Sequence, residues 1–342
     1  MALRGPSAVR QPRRLRNSLC SNSAHRKLRG RLHCSATPKA AGILIGVFEN
    51  VKEARSEESA SFYFLPSLSI LLDILILFGK TLILRPYVFV FLAVSLFVAK
   101  RLLGWKRTGV FFGVTWLTAF VSELTSTRIG IPFGPYFYNE STRGQELYIF
   151  NIPFMDSVSF TFLLFASYCL ALLFALPMVK ASDGAKAILS YPGVLSWKIL
   201  LLASFFFMYI DIVIDPIVLR GDRWFLGLIY GYPHPGTYFG IPLENFAGWF
   251  VVGFVSLSLY RWVEQIGYFP SLTLSTAGTN ILLGCGLYYV VLIFNLAMTF
   301  WIQEWLLAMV GCFLYLPVTI LLLFRIPFWW PATKNVSQAP SG

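Results

Sequence analysis

The sequence predicts an all-α protein, a polytopic transmembrane helix bundle of seven or eight spans with two long loops on one membrane side. Its 342 residues are 56% hydrophobic and only 13% charged, whereas about 25% of the residues in a soluble domain are charged. Apolar segments recur along the chain at close to the ~20 residues that cross a hydrocarbon core. Because an isolated strand in lipid would leave its backbone groups unpaired, these segments are predicted to be helices.

The first element is a basic leader at residues 1–41. Residues 1–40 contain ten Lys or Arg and no acid, and they lack an apolar core. This composition is typical of an organellar transit peptide that is cleaved after import, although a disordered basic tail is the alternative. We expect an integral membrane protein of a plastid, or alternatively of a mitochondrion, or of a bacterial plasma membrane if the leader is an overextended start. Residues 41–342 carry 18 basic and 16 acidic side chains, so the leader accounts for the net charge and no nucleic-acid partner is expected.

A polar connector is predicted at residues 42–63, a single integral-membrane domain at 64–330 and a disordered tail at 331–342. The predicted spans are residues 64–79, 82–99, 108–126, 153–178, 198–217, 245–262, 277–299 and 304–325. Asp73, Lys80 and Arg85 interrupt the first two, which could instead form one long tilted helix.

Basic residues concentrate on alternate loops. Residues 100–107 contain four Lys or Arg, residues 180–198 contain three, and Arg261 and Arg325 close later spans. Such loops usually face the cytoplasmic or stromal side, which leaves the long connections, 127–152 and 218–244, on the opposite side together with Lys80 and Arg85. Loops of this length are usually functional or disordered, and their Gly, Pro and Tyr content favours defined turns.

Five carboxylates lie in or beside the apolar segments: Glu123, Asp156, Asp211, Asp215 and Glu244. An ionised side chain at the centre of a membrane helix costs about 2.5 to 3.5 kcal/mol on insertion scales, so its presence indicates function. The predicted topology puts all five on the membrane side that carries the long loops.

Asp211 and Asp215 are spaced i, i+4 and share one helical face. Two carboxyls in a medium of low dielectric cannot both ionise at low cost, so one is expected to hold a proton and to act as a general acid. The alternative is a salt bridge to Arg220 or Arg223, or solvation at the end of the helix. Pro216 is expected to end or kink the helix.

The other polar candidates each have a structural alternative. Glu123 needs a partner if it is buried, either Arg128 or a hydroxyl group. Asp156 either lines the site or stabilises a helix N-terminus through the helix dipole. Glu244 and Asn245 either line the site or cap the incoming helix.

Aromatic side chains follow the acids in both loops. Tyr136 and Tyr138 end the segment from Gly130, and Tyr238 and Trp249 lie in the segment from Gly236. These rings either bind substrate or form an interfacial aromatic belt. His234 stands between two prolines and is expected to be a loop residue.

No metal or cofactor is expected. The cysteines lack metal-ligand spacing, and those in apolar segments are expected to be core thiols. Two of the three histidines lie in the leader.

The loop motifs, taken in order, resemble a known family. The Glu123 segment leads into Gly130-Ile-Pro-Phe-Gly-Pro-Tyr-Phe-Tyr138, which is followed by Asn151-Ile-Pro153, by Asp211 to Pro216, and by Tyr238-Phe-Gly-Ile-Pro-Leu-Glu-Asn-Phe-Ala-Gly-Trp249. Over about residues 100–262 the chain resembles membrane-bound carotenoid biosynthesis proteins that include carotenoid 1,2-hydratases of the bisanhydrobacterioruberin hydratase type. The resemblance implies addition of water to the terminal double bond of an acyclic carotenoid, such as lycopene or γ-carotene, to give a tertiary alcohol.

Chemistry then suggests roles for the candidates. Asp211 or Asp215 would protonate the double bond, Glu123 or Glu244 would orient water, and Asn245 would bind the new hydroxyl. The partners are then a carotenoid and membrane lipid, while the oligomeric state stays open. Alternatives are another carbocation enzyme, such as a cyclase or isomerase, and a transporter or lipid-binding protein.

Overall fold

The computed structural model describes residues 66–176, 193–266, 269 and 277–329. The leader, the polar connector and the tail therefore lie outside the described residues. Eight long helices run through the described ranges: α1 (Pro66–Leu84), α2 (Pro86–Leu103), α3 (Trp105–Ile129), α4 (Phe154–Ala175), α5 (Trp197–Val218), α6 (Leu243–Gln265), α7 (Ala277–Trp301) and α8 (Trp305–Trp329).

Seven of these helices, α2 to α8, are long and apolar enough to cross a membrane. The predicted integral-membrane helix bundle is therefore confirmed. The region at residues 64–99 contains two helices, which meet at Arg85. Pro86 follows at the first position of α2, where its fixed φ and missing N–H are tolerated.

Helix α4 is the centre of the bundle. It packs against α2, α3, α5 and α7. Of the residues in its most apolar stretch of 18, 83% are buried. A helix that is apolar all round is expected to be buried. Close packing depends on small residues: a Cβ atom placed on Gly284 of α7 would collide with the Sγ atom of Cys169.

The cationic end of the bundle is held by polar contacts between helix ends. Arg107 forms a buried ion pair with Glu264 at 3.0 Å. Arg261 donates to the carbonyl of Leu195, and Arg325 donates to that of Leu176. Of the basic residues predicted to share one side, Arg107, Arg261 and Arg325 therefore lie at one end of the bundle. The compartment that this end faces stays a prediction.

The two long loops meet at the other end. The first loop, residues 130–153, contains β1 (Phe137–Tyr138), β2 (Tyr148–Ile149) and β3 (Ile152–Pro153), and the second loop, residues 219–242, contains β4 (Tyr230–Gly231). Strands β1 and β4 pair in antiparallel fashion, with Phe137 opposite Gly231 and Tyr138 opposite Tyr230. Strands β2 and β3 form a second antiparallel pair.

Arg85 lies at this loop end, away from Arg107, Arg261 and Arg325, as the predicted topology requires. Its Nη2 and Nε atoms donate to the two carboxylate oxygens of Glu146 in the first loop, at 2.9 and 3.2 Å. The backbone N–H of Leu147 donates to Thr81 of α1 at 2.9 Å. The arginine therefore fastens the first loop to the α1–α2 junction.

Candidate functional site

A cavity of about 160 Å³ lies at the loop end of the bundle, between helices α2 to α7 and the two loops. Seven of the predicted site residues line it: Glu123, Tyr136, Tyr138, Asp156, Asp215, Asn245 and Trp249. An engineered apolar cavity of about 150 Å³ holds benzene. The volume therefore suits one small end group of a longer ligand.

Asp211 and Asp215 meet at the amide of Asn245. The Nδ2 atom of Asn245 donates to Oδ2 of Asp211 at 2.9 Å and to Oδ2 of Asp215 at 2.5 Å. Asp215 lines the cavity, whereas Asp211 is fully buried one turn deeper and its Oδ1 atom has no hydrogen-bond partner. An Asn side chain offers two donor hydrogens, so one amide can bind both carboxyls.

The structural alternatives predicted for Asp211, Asp215 and Asn245 are not what the structure shows. Arg220 and Arg223 form ion pairs with Glu304, at the turn between α7 and α8, and not with the aspartates. The amide of Asn245 is engaged with the aspartates, and no side chain caps α6 at its N-cap residue, Pro242. The Asp–Asn–Asp arrangement is thus a side-chain cluster within the bundle.

Glu123 forms a second carboxyl cluster with hydroxyl groups. Tyr138 donates to its Oε1 atom at 2.8 Å, and Ser157 of α4 donates to its Oε2 atom. Asp156, the third residue of α4, lines the same cavity beside Tyr138. Arg128 does not pair with Glu123, because it donates to the backbone carbonyl of Leu124. Of the two partners predicted for Glu123, Arg128 or a hydroxyl group, the structure shows hydroxyl groups.

A tyrosine roof covers these clusters; it consists of Tyr136, Tyr138, Tyr230 and Tyr232. Tyr138 of β1 pairs with Tyr230 of β4, while Tyr136 directly precedes β1 and Tyr232 directly follows β4. Alternate residues of an extended chain point to the same face, which brings the four rings together. The ring of Tyr136 lies 5.4 Å from that of Tyr138 and 6.1 Å from that of Tyr230. The hydroxyl of Tyr230 faces Asp215 without meeting the geometry of a hydrogen bond.

Burial raises the pKa of Tyr136, Tyr138 and Tyr230 well above the ordinary value for tyrosine. The carboxyls below the roof add to the effect, Glu123 acting on the first two and Asp215 on the third. The roof therefore offers neutral hydroxyl groups, which can both donate and accept hydrogen bonds.

The base of the site is aromatic. The rings of Trp249 and Phe160 stack with centroids 4.3 Å apart and planes at 14°. Phe207 contacts the same indole at 4.7 Å. Stacked rings of this kind provide a rigid apolar surface, and their faces attract positive charge.

Three predicted site residues do not line the cavity: Asp211, which is buried one turn below Asp215, Glu244 and Tyr238. Glu244 is exposed at the start of α6. Tyr238 is half-buried and packs edge-on against Phe246 at 5.6 Å, and its hydroxyl has no hydrogen-bond partner. His234 is an exposed loop residue.

Tyr230, Tyr232 and Ser157 were not among the site residues predicted from the sequence. A signal for the tyrosines was present, since Tyr-Phe-Tyr in the first loop and Tyr-Gly-Tyr in the second have the alternation of a strand face. Ser157 follows Asp156 directly and carried no signal of its own. Within the described residues, no group of three His, Cys, Asp or Glu side chains is placed to hold a metal ion.

Fold and site together define a class: an integral membrane helix bundle with carboxyl groups and aromatic rings around a small cavity at its loop end. The family model for carotenoid biosynthesis proteins matches residues 79–318. The chain belongs to this carotenoid biosynthesis protein family, and its role therefore lies in carotenoid biosynthesis. No curated protein and no solved structure matches the chain. The family match extends beyond the resemblance at residues 100–262 and includes nearly all of α2 to α8.

Proposed function

We propose that this protein is a hydratase that adds water to the terminal double bond of an acyclic carotenoid. The observation that carries the proposal is the presence of two separate carboxyl clusters, Asp215 with Asn245 and Glu123 with Tyr138, around one aromatic cavity. Hydration of an alkene needs a proton donor and a group that binds water. Membership of the family implies a carotenoid substrate. The two clusters can provide the proton donor and the group that binds water.

Asp215 is the proton donor in this proposal. Two adjoining buried carboxyls hold at least one proton between them, and Asp215 is the member that reaches the cavity. Its O–H bond breaks as the π electrons of the double bond form a new C–H bond at C-2. A tertiary cation is left at C-1, and the amide of Asn245 stabilises the carboxylate that forms on Asp215.

Glu123 binds the water that captures the cation. As the oxygen of water bonds to C-1, its extra proton passes to Glu123, and Tyr138 and Ser157 hold that carboxyl in place. The faces of Trp249 and Tyr136 stabilise the cation in the interval. In sum, one water molecule is added to the double bond. A proton then returns from Glu123 to Asp215 through solvent, which restores the starting protonation of both carboxyls.

The test is pigment analysis of a lycopene-producing host that expresses the full chain. The wild-type protein should give a product heavier than its substrate by the mass of one water. Asp215→Asn should lower the product by about a hundred-fold or more, the usual contribution of a general acid. Asp222→Asn is the matched control, because Asp222 is an exposed aspartate in the second loop.

Other results of these experiments would indicate a different activity. A product isomeric with the substrate would mean cyclisation or isomerisation. Flux of substrate or protons through proteoliposomes, with no product formed, would mean a transporter. Full hydration by Asp215→Asn, with equal protein in the membrane fraction, would remove Asp215 from the mechanism.

A further inference from the structure

The cavity is too small for the ligand that the family implies. A volume of about 160 Å³ holds an end group, while a carotenoid continues as a long rigid polyene. The rest of the polyene must leave the cavity through one of its walls. The wall formed by the two carboxyl clusters and the tyrosine roof is polar, so the polyene must pass elsewhere.

An aromatic wall lies between α2 and α7. The ring of Tyr87 stacks on that of Phe294 at 6.0 Å with planes at 21°. Phe294 contacts Phe91 at 6.1 Å, and Phe91 contacts Phe162 of the central helix at 5.7 Å. All four rings line the cavity, and Tyr87, Phe91 and Phe294 are only half-buried.

The same row of rings continues to the outer surface. Phe225 of the second loop is 58% exposed, and its ring lies 5.9 Å from that of Tyr87. Val90 of α2 and Ile293 of α7, which flank the seam, are 59% and 60% exposed. These side chains are apolar, so the outer end of the row is suited to contact with lipid.

We propose that the α2–α7 seam, formed by Tyr87, Phe91, Phe294 and Phe225, is the subsite that holds the polyene and lets it enter from the membrane. The proposal rests on the hydratase function proposed above. It makes the seam the part of the protein that selects substrates by their length. A flat conjugated chain packs favourably against aromatic faces. The carboxyl clusters recognise the end group, and the seam recognises the polyene attached to it.

Photo-crosslinking tests the seam without relying on catalysis. The photoreactive residue p-benzoylphenylalanine replaces Phe225 in the full chain, and the cells make an acyclic carotene. Replacement of Phe313, which is 75% exposed on α8, is the matched control for lipid-dissolved carotene. We expect a carotene adduct at position 225 at least tenfold above that at position 313. Equal adducts at both positions, or none at 225, would overturn the seam.

The same cells report hydration separately. An adduct at position 225 without a hydrated product would support the seam and reject the proposed reaction. A hydrated product without an adduct would reject the seam and leave the reaction standing.

A kinetic test uses two substrates with the same terminal double bond, an acyclic carotene and an acyclic isoprenoid of monoterpene length. The variant is Phe225→Ala, because Phe225 belongs to the seam but does not line the cavity. With protein in lipid nanodiscs, this variant should raise KM for the carotene about fivefold, the loss expected for one aromatic contact. The kcat should change less than twofold, and so should kcat/KM for the short substrate, which stays within the cavity. Phe313→Ala should change neither. An equal loss with both substrates would show that Phe225 supports the fold and not the polyene.

Discussion

The ion pair between Arg85 and Glu146 gives the sharpest test of how the first loop is held. Both side chains are buried, at 2% and 0% relative exposure, and two hydrogen bonds join them. Glu146→Leu would leave a buried guanidinium without its partner, and removal of one member of a buried pair costs about 3 to 5 kcal/mol. Arg85→Met should cost a similar amount. The double variant removes both charges and should recover most of that loss, since apolar replacement of a buried pair is often neutral.

The measurement is unfolding in mixed micelles, analysed as a double-mutant cycle over the wild type, both single variants and the double variant. Glu140→Leu is the matched control, because Glu140 is 57% exposed in its pair with Arg143. An exposed pair contributes about 0 to 1 kcal/mol. Single variants that cost less than about 1 kcal/mol, or a double variant that costs the sum of the two, would refute the view that this pair fastens the loop.

Two further predictions concern packing and pH. Gly284→Ala should lower the free energy of unfolding by about 1 to 3 kcal/mol, the usual cost of overpacking, because the new methyl group meets Cys169. Gly286→Ala is the control, because a methyl group there has open space and should be tolerated. Equal effects of the two variants would contradict the close helix crossing. Because burial holds the pKa of Tyr138 and Tyr230 well above that of an unfolded tyrosine, their contribution to stability should be complete below pH ~10 and fall as the pH rises further. Unfolding measured across this range should show a steeper loss in the wild type than in the Tyr138→Phe, Tyr230→Phe double variant, and parallel curves would count against a buried tyrosine roof.

Much of the fold could be predicted because lipid leaves few choices for the backbone. The apolar segments became helices, and the one predicted at residues 198–217 is α5, Trp197–Val218. The pairing of the two loops could not be predicted, since a pair of two-residue strands has no periodic signal of its own. Arg85 was interpretable only with its partner, because a buried cation and a surface cation look the same in sequence.

The polar residues of the site were found because each interrupts an apolar segment. Their relative placement needed the structure. Asn245 and Trp249 are spaced i, i+4 and face inward together, while the adjacent Glu244 points out of the cavity. About 100° of helix rotation separates neighbouring residues, and the sequence does not fix which of the two faces the core. The packing of α6 against its neighbours decides this.

Strands β1 and β4 belong to loops that lie far apart in the chain. Their register determines which tyrosine hydroxyls face the carboxyl groups. A strand has a repeat of two, so a shift by one position turns every side chain to the opposite face. If the preceding chain keeps its place, one residue inserted ahead of Tyr230 would lie opposite Tyr138, and Tyr230 would move opposite Phe137 and turn outward. A change in the length of one loop ahead of its strand therefore calls for a matching change in the other. A chimera whose exchanged loop differs in that length would misalign the ribbon even if every helix inserted correctly.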